Sequence, residues 1–434
     1  MKQKLFVLSM DAMVHEDVAY LSQKPNFQNI LGKRAEVKGL TSVYPGSTYP
    51  AHSTLMTGCD PAKHGVYSNF HLRTVPDQIP HWPLHCNNIF AEDLFAAAKR
   101  VGCTTAAVYW PITGRNPNID YILNEYFFFY PEEDTVEAFR SMGANDAVIR
   151  AIEENRQLID AKRRLEPGYS YDMFLMACAC SLIRNQQPDV MLVHNCLLDS
   201  ARHSSGVFGD GVRAAMDKAD AQLGDVIAAM EDAGVYEQTN FIILSDHGQL
   251  DYEKLTRINV LLAEADLLEV APNGTVYDWQ AFGQSTGMST AIYLRDPGNK
   301  ALYDQVYAYL QKLVAEEKWG FTKVYTVDEV KEKYGLYGPF SFMLATDGKT
   351  IVVEAWTNDA QIRYGADEQR AARATHGYEP ELGPQPVFLA HGPAFRDGAV
   401  LERAELIDIA PTLAAAMGQT LPQAEGRVLK ELLV

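Results

Sequence analysis

The chain has 434 residues, 47% apolar and 22% charged, the profile of an ordinary globular protein. At roughly 100–200 residues per domain, that length suits one large α/β domain with an insertion, or a few smaller domains. Acidic side chains outnumber basic ones by 56 to 38, a net charge of −18, which argues against a nucleic-acid polymer or an anionic membrane as partner.

An anionic substrate would therefore have to be attracted locally, most simply through bound metal cations. No stretch approaches the roughly 18 apolar residues that a membrane span needs. The N-terminal apolar run is too short for a secretion signal. The six cysteines lack metal-finger spacing and suit free thiols in a reducing cytoplasm.

Lys4 to Met10 (KLFVLSM) is a continuous apolar run ending in Asp11, the pattern of a strand buried on both faces with a carboxylate at its carboxyl end. Helical patterning follows over Asn26 to Leu31. Residues 38–58 (KGLTSVYPGSTYPAHSTLMTG) read as a strand, a tight turn at Pro45-Gly46 and a helix opened by Pro50, with Thr48 as a cap-like residue just outside. A hydroxyl held there faces the free N–H groups and positive dipole end of the helix, where a phosphate oxyanion is favoured. Thr48 is thus read either as a helix cap or as a nucleophile.

Further on, Ile89 to Val101 is an amphipathic helix stopped by Gly102, and Thr104 to Tyr109 is a strand. Glu133 to Arg164 is charged and helical. Tyr171 to Arg184 is an apolar helix carrying Cys178-x-Cys180, a pair too close for a zinc knuckle and read as structural. Asp189 to Leu198 is a buried strand ending in Asp199. Gly211 to Ala233 is a long amphipathic helix, and Asn240 to Leu244 is a strand running into Asp246 and His247.

This alternation predicts an α/β fold, a mostly parallel sheet with helices on both faces. In such sheets ligands collect outside the carboxyl ends of the strands, which is where Asp11, Thr48, Asp199, Asp246 and His247 all fall. Residues 250 to 370 break the rhythm with short strand-like pieces (Thr290 to Leu294, Lys323 to Thr326, Thr350 to Ala355), one helix (Lys300 to Glu316) and Gly-rich aromatic loops around Tyr334 to Pro339. The expected division is a catalytic core of residues 1–250 and 370–434, with 251–369 mixing core strands with a cap that covers the site. The sheet pattern resumes in Pro386 to Ala390, and Glu405 to Met417 is a final helix.

Asp11, Thr48, Asp199, His203, Asp246, His247 and His376 form a set suited to two metal ions, since mixed carboxylates and imidazoles favour zinc without excluding manganese or iron. Two ions about 4 Å apart explain a threonine nucleophile, because coordination lowers the pKa of a hydroxyl enough to make alkoxide available. Charge developing on the phosphoryl oxygens needs donors. The candidates are the Asn69 side chain and the backbone N–H groups of Thr48 and Tyr49.

The ordered motifs STYPAHSTLMTG, HGVYSN, DSARHSSG, SDHGQ, THGYEP and DIAPTLAAAMG with GRVL resemble the nucleotide pyrophosphatase/phosphodiesterase branch of the alkaline phosphatase superfamily over nearly the whole chain. That resemblance implies an alkaline-phosphatase-like core, two zinc ions and hydrolysis of a small phosphate ester or nucleotide. It further implies that Asp11, Thr48, Asp246 and His247 hold one zinc and Asp199, His203 and His376 the other. Thr48 would form a covalent phospho-threonine, and Asn69 would hold a phosphoryl oxygen.

Arg202 departs from the family pattern, standing where many relatives carry glycine; it either reaches the substrate or lies on the surface. The nucleophile motif lacks the arginine of the sulfatase cousins, and the phosphomutase relatives use serine and other ligands, so both are disfavoured. His52 and His64 are expected to be structural. A phosphomonoesterase or a phosphonoacetate-type C–P hydrolase on the same fold stays open. A monoesterase would need further cations near Asn69, for which His71, Arg73 or Arg115 are candidates. A silent nucleotide or metal sensor is the reading from another class.

Overall fold

The computed structural model describes residues 3–74, 82–127, 133–159, 171–365, 368, 370 and 372–434. Its centre is an eight-stranded sheet, ordered in space as Val400–Leu401, Ala35–Val37, Phe388–His391, Thr239–Leu244, Lys4–Met10, Val190–Asn195, Thr105–Val108 and Tyr121–Leu123. Every pairing is parallel except those of Phe388–His391, which runs antiparallel to both neighbours. The expected mostly parallel α/β sheet is therefore the observed one.

The continuous apolar runs are explained by burial on both faces. In Lys4–Met10, Phe6, Leu8 and Met10 join a cluster with Phe174, Leu175, Val212 and Leu223 of the helices on one side. Leu5 and Val7 turn to the other side, against Leu55, Leu94, Phe95 and Leu413. The same alternation repeats in Val190–Asn195 and Thr239–Leu244.

Several boundaries differ from the sequence expectation. The Glu133 to Arg164 stretch is two helices, Thr135–Ser141 and Asp146–Glu154, followed by a short 3-10 turn at Arg156–Leu158; its last five residues lie outside the described ones. Asp134 and Asn145 each cap a new start by accepting backbone N–H bonds, which is why one charged run becomes two elements. The helix expected from Ile89 begins only at Leu94, capped by Asp93, and ends at Arg100. The final helix is Ile409–Ala416, preceded by a 3-10 turn at Leu406–Asp408.

The larger correction concerns Asp199. The strand ends at Asn195, and Leu197–Ser205 is a helix. Asn195 Oδ1 accepts the Leu197 N–H at 3.1 Å and Asp172 accepts that of Cys196 at 2.7 Å, turning the chain. Leu197 and Leu198 look like strand in sequence because they are apolar, but they are the buried side of the first helical turn. Asp199 and His203 thus share one helix face four residues apart.

Residues 281–346 build a separate antiparallel sheet in the order Ala281–Ser285, Ser289–Leu294, Phe342–Thr346, Phe321–Thr326. The helix Lys300–Ala315 covers it, burying Leu302, Val306, Leu310 and Leu313 against Phe321, Val324 and Phe342. A three-stranded sheet, Thr350–Val353, Lys254–Arg257 and Gln361–Arg363, lies beside it. Together these elements, none of whose strands pairs with the central sheet, lie within the segment expected to be the cap. No helix among the described residues is long and apolar enough to cross a membrane.

Candidate active site

Strand register places the first carboxylates together. Ser9 pairs with Leu244 across the central parallel strands, so Asp11 and Asp246 emerge side by side two residues later. The Ala12 N–H donates to Asp246 Oδ1 at 3.2 Å. Thr48 is the first residue of the helix Thr48–Thr57; Ser47, in extended conformation, occupies the cap position without a capping hydrogen bond. The helix therefore starts two residues before Pro50, and the Thr48 hydroxyl is not spent on capping.

That hydroxyl lies 3.3 Å from His247 Nε2. The same nitrogen is 3.1 Å from Asp246 Oδ2 and 3.5 Å from Asp11 Oδ1. Asp11 Oδ1 and Asp246 Oδ2 are both buried without a hydrogen-bond partner, a costly state for carboxylate oxygens unless a cation satisfies them. Ligands tetrahedrally disposed about 2.0–2.1 Å from a zinc ion stand about 3.3 Å apart, and this donor set has that spacing. Burial, then the Asp246 and Asp199 charges, push Asp11 well above the usual carboxylate range, as desolvation and neighbouring like charges do.

The second set is Asp199, His203 and His376, whose ligand atoms lie within 4.8 Å of one another. His203 Nε2 is 3.3 Å from Asp199 Oδ1. Its Nδ1–H donates to the Ala374 carbonyl at 2.8 Å, which turns Nε2 inward. Burial alone would lower the His203 pKa, but neighbouring Asp199 raises it to about 9. His376 is pushed down to about 3, first by burial and then by the neighbouring His247. The His376 and His247 rings stack with centroids 4.2 Å apart. All seven residues are thus brought to one crevice at the carboxyl edge of the sheet, and their donor chemistry fits metal ions.

Asn69 sits beside the nucleophile turn. Its Oδ1 accepts the Tyr49 N–H at 2.9 Å, so that N–H is not available to a substrate oxygen, contrary to expectation; the Asn69 amide nitrogen is the group left to donate. His52 is fully buried: it donates to the Thr48 carbonyl at 2.8 Å and its other nitrogen accepts from Ser9 Oγ at 2.8 Å. His64 is also buried, between Thr54 Oγ1 and the Val66 N–H. Both act as internal braces.

Arg202 follows neither expectation, because it is 0% exposed. Its guanidinium donates to the Ala12 carbonyl at 2.9 Å and to the Val207 carbonyl, and pairs with Asp17. It bolts the Asp199–His203 helix to the backbone after Asp11. Arg73 pairs with Glu354 at 3.3 Å and Arg115 donates to the Ser141 carbonyl; His71 is exposed and, like these two, is not among the residues lining the cavities below.

Three residues of the site escaped the sequence reading. Gln249 is buried and donates to the Asp199 carboxylate at 2.5 Å and to its carbonyl at 3.1 Å. His194 Nε2 is 3.1 Å from Asp11 Oδ2, and Glu125 lies behind it, 3.7 Å from Nδ1 and bonded to the Tyr49 hydroxyl. The one available signal was His194 itself, an imidazole interrupting the apolar run VMLVHN.

Two cavities open beside Thr48, sharing Thr48, Trp82 and Asp199. One, of about 570 Å³, is walled by Tyr49, Trp82, Tyr109, Phe127 and Tyr171. The other, of about 440 Å³, lies toward the cap and includes His203 and His376.

The comparisons agree with this geometry. A family model described as type I phosphodiesterase / nucleotide pyrophosphatase matches residues 5–379. Ectonucleotide pyrophosphatase/phosphodiesterase family member 5 of Homo sapiens is 24% identical over 422 residues, covering 95% of this chain and 74% of that protein. Family member 3 of Rattus norvegicus is 21% identical over 402 residues, 89% of this chain but only 38% of that longer protein. Among solved structures, murine family member 5, as an inactive threonine-to-alanine variant in complex with AMP, superposes with a TM-score of 0.67 at 20% identity over 100% of both chains, which shows the shared fold. With the family model spanning most of its length, the chain belongs to the type I phosphodiesterase / nucleotide pyrophosphatase family of hydrolytic enzymes.

Proposed function

We propose that the chain is a two-zinc phosphodiesterase that cleaves a small phosphodiester or phosphoanhydride, such as a nucleotide ester, through a covalent intermediate on Thr48. The carrying observation is the convergence of Thr48 Oγ1, Asp246 Oδ2 and Asp11 Oδ1 on His247 Nε2 at 3.3, 3.1 and 3.5 Å, with two of those oxygens buried and unpartnered. Asp11, Thr48, Asp246 and His247 would hold one ion, and Asp199, His203 and His376 the other. When bound, the ions supply Lewis acidity that eases deprotonation of the threonine and offsets charge on the leaving oxygen.

The chain's own residues do the rest. Thr48 Oγ1, at the N-terminus of its helix, attacks phosphorus while the bond to the leaving oxygen breaks on the opposite side. Asn69, fixed through its Oδ1, offers its amide N–H to a phosphoryl oxygen. Water then enters from the vacated side, cleaves the phospho-threonine and restores Thr48. The aromatic cavity suits a planar base, and AMP bound to the murine relative supports a nucleotide substrate. A diester is favoured over a monoester because Arg73 and Arg115, expected to neutralise the extra charge, are engaged elsewhere. Six free cysteines support a reducing, cytoplasmic location.

The test is elemental analysis of the purified chain together with turnover of a generic phosphodiester, a phosphomonoester and phosphonoacetate by wild type and Thr48→Ala. Thr48→Ala is expected to lose on the order of 10³-fold or more in diester turnover, about 4 kcal/mol. Full activity in that variant, or no restoration of stripped protein by any transition metal, would overturn the mechanism.

A further inference from the structure

The two cavities beside Thr48 differ in chemistry, and in-line displacement assigns them different halves of the substrate. The leaving oxygen must stand opposite Thr48 Oγ1, on the side of the second donor set. Asp199, His203 and His376 all line the cap-side cavity, whereas only Asp199 of the three lines the aromatic one. The cap-side cavity therefore receives the leaving group.

Outside the donor set, the described part of its wall is uncharged or acidic. Ile351 and Val353 supply aliphatic side chains, while Val352 between them faces the core, and Phe70 and Trp82 supply aromatic rings. Thr286 Oγ1 is buried without a hydrogen-bond partner. Among the described residues, the one charged side chain of the wall outside the Asp199 set is Glu354, which accepts the Ser285 N–H at 3.2 Å and pairs with Arg73 at 3.3 Å. No lysine or arginine lines this cavity among the described residues; Lys218 lines the aromatic one.

We propose that the cap-side cavity selects an uncharged leaving group, an alcohol with hydroxyl or modest apolar character, against pyrophosphate and longer polyphosphates. The inference rests on the phosphodiesterase reading above. A departing pyrophosphate brings several negative charges into a compartment whose described wall offers no lysine or arginine side chain, the nearby Arg73 being already paired with Glu354, so those charges go uncompensated and are selected against. An uncharged alcohol meets the Ile351 and Val353 side chains and the Phe70 and Trp82 rings without that penalty.

The experiment compares kcat/KM for two substrates with the same thymidine half, the p-nitrophenyl ester of thymidine 5′-phosphate and thymidine 5′-triphosphate. Both are assayed with the zinc-loaded full chain as wild type, Glu354→Gln and Val353→Lys. The wild type is expected to favour the diester by about 100-fold or more, and each variant to raise the triphosphate-to-diester ratio by about tenfold. Because the nitrophenolate leaves readily by its own chemistry, the change in ratio between variants is the deciding readout. Circular dichroism identifies a variant that does not fold, and Val353→Lys keeps the Glu354–Arg73 pair intact. The inference falls if wild type cleaves the triphosphate as well as the diester, or if the folded variants leave the ratio unchanged; the phosphodiesterase reading survives both. Loss of turnover on both substrates by the zinc-loaded wild type would overturn the two together.

Discussion

The two donor sets stand side by side, yet they are built differently. Asp11, Asp246 and His247 follow directly from adjacent central strands and are at most 3% exposed in their side chains. The second set leans on elements that the sheet does not fix: Asp199 and His203 ride on a helix, and their side chains are 16% and 32% exposed. His376 sits in a loop clasped on both sides. The Gly377 N–H donates to the Gly46 carbonyl beside the nucleophile turn, and the Met288 N–H donates to the His376 carbonyl from the cap. The first set thus belongs to the core, whereas the second is assembled where core, helix and cap meet, so perturbations that spare one should still disturb the other.

Arg202→Met attacks the bolt between them. It strands Asp17 as a buried charge without its partner, and a loss of about 3–5 kcal/mol in chemical-denaturation stability is expected. A loss below 1 kcal/mol would mean that the helix is held independently of the Asp11 loop.

Gly377→Ala separates the sets more cleanly. Gly377 has φ +88, and a Cβ there would lie 1.7 Å from the Thr286 carbonyl oxygen, so the His376 loop must shift. Displacement by about 1 Å is expected to cost on the order of 100-fold in diester turnover, with weakened binding of one metal ion and near-normal binding of the other by chelator competition. Equal loss of both ions would erase the distinction between the sets.

Gln249→Met removes the donor that steers the Asp199 carboxylate while keeping similar volume. Metal affinity at the second set is expected to fall roughly 10–100-fold, with folding stability little changed. An unaltered metal titration would reduce Gln249 to a packing residue.

The smallest expected effect at neutral pH concerns the core side. Burial pushes His64 down to about 3, well below its unfolded value near 6.5. The fold binds its neutral form, so the stabilisation is fully present above about pH 6.5 and is lost as pH falls from there toward 3, by about 1.4 kcal/mol per pH unit at most. His64→Gln should flatten this part of the stability profile. If it does not, acid sensitivity arises at the donor sets instead.

How much was legible beforehand divides along the same line. Lys4–Met10 and Thr239–Leu244 were readable because strands buried on both faces must be continuously apolar, and a carboxylate closing such a run marks a strand end. Asp11, Asp246 and His247 came out of that pattern, Thr48 out of a strand, tight turn and helix start, and His203 and His376 out of local spacing and loop setting, while the motif resemblance supplied their grouping around two ions. Asp199 was assigned to a strand because Leu197 and Leu198 look alike in a buried strand and in a buried helical turn.

The sequence by itself determined the alternating architecture, the residue types at the strand ends and the family, because hydrophobic periodicity and short motifs are local properties of the chain. Only the tertiary structure decided that the Thr48 hydroxyl is not spent on capping, that Arg202 is a buried bolt, that Gln249 and His194 hold the carboxylates, and that no lysine or arginine among the described residues lines the cavity of His203 and His376. Those facts depend on register, loop closure and burial between segments more than 100 residues apart, such as Arg202 with Ala12 or Gly377 with Gly46, and no local pattern encodes a distance across the fold.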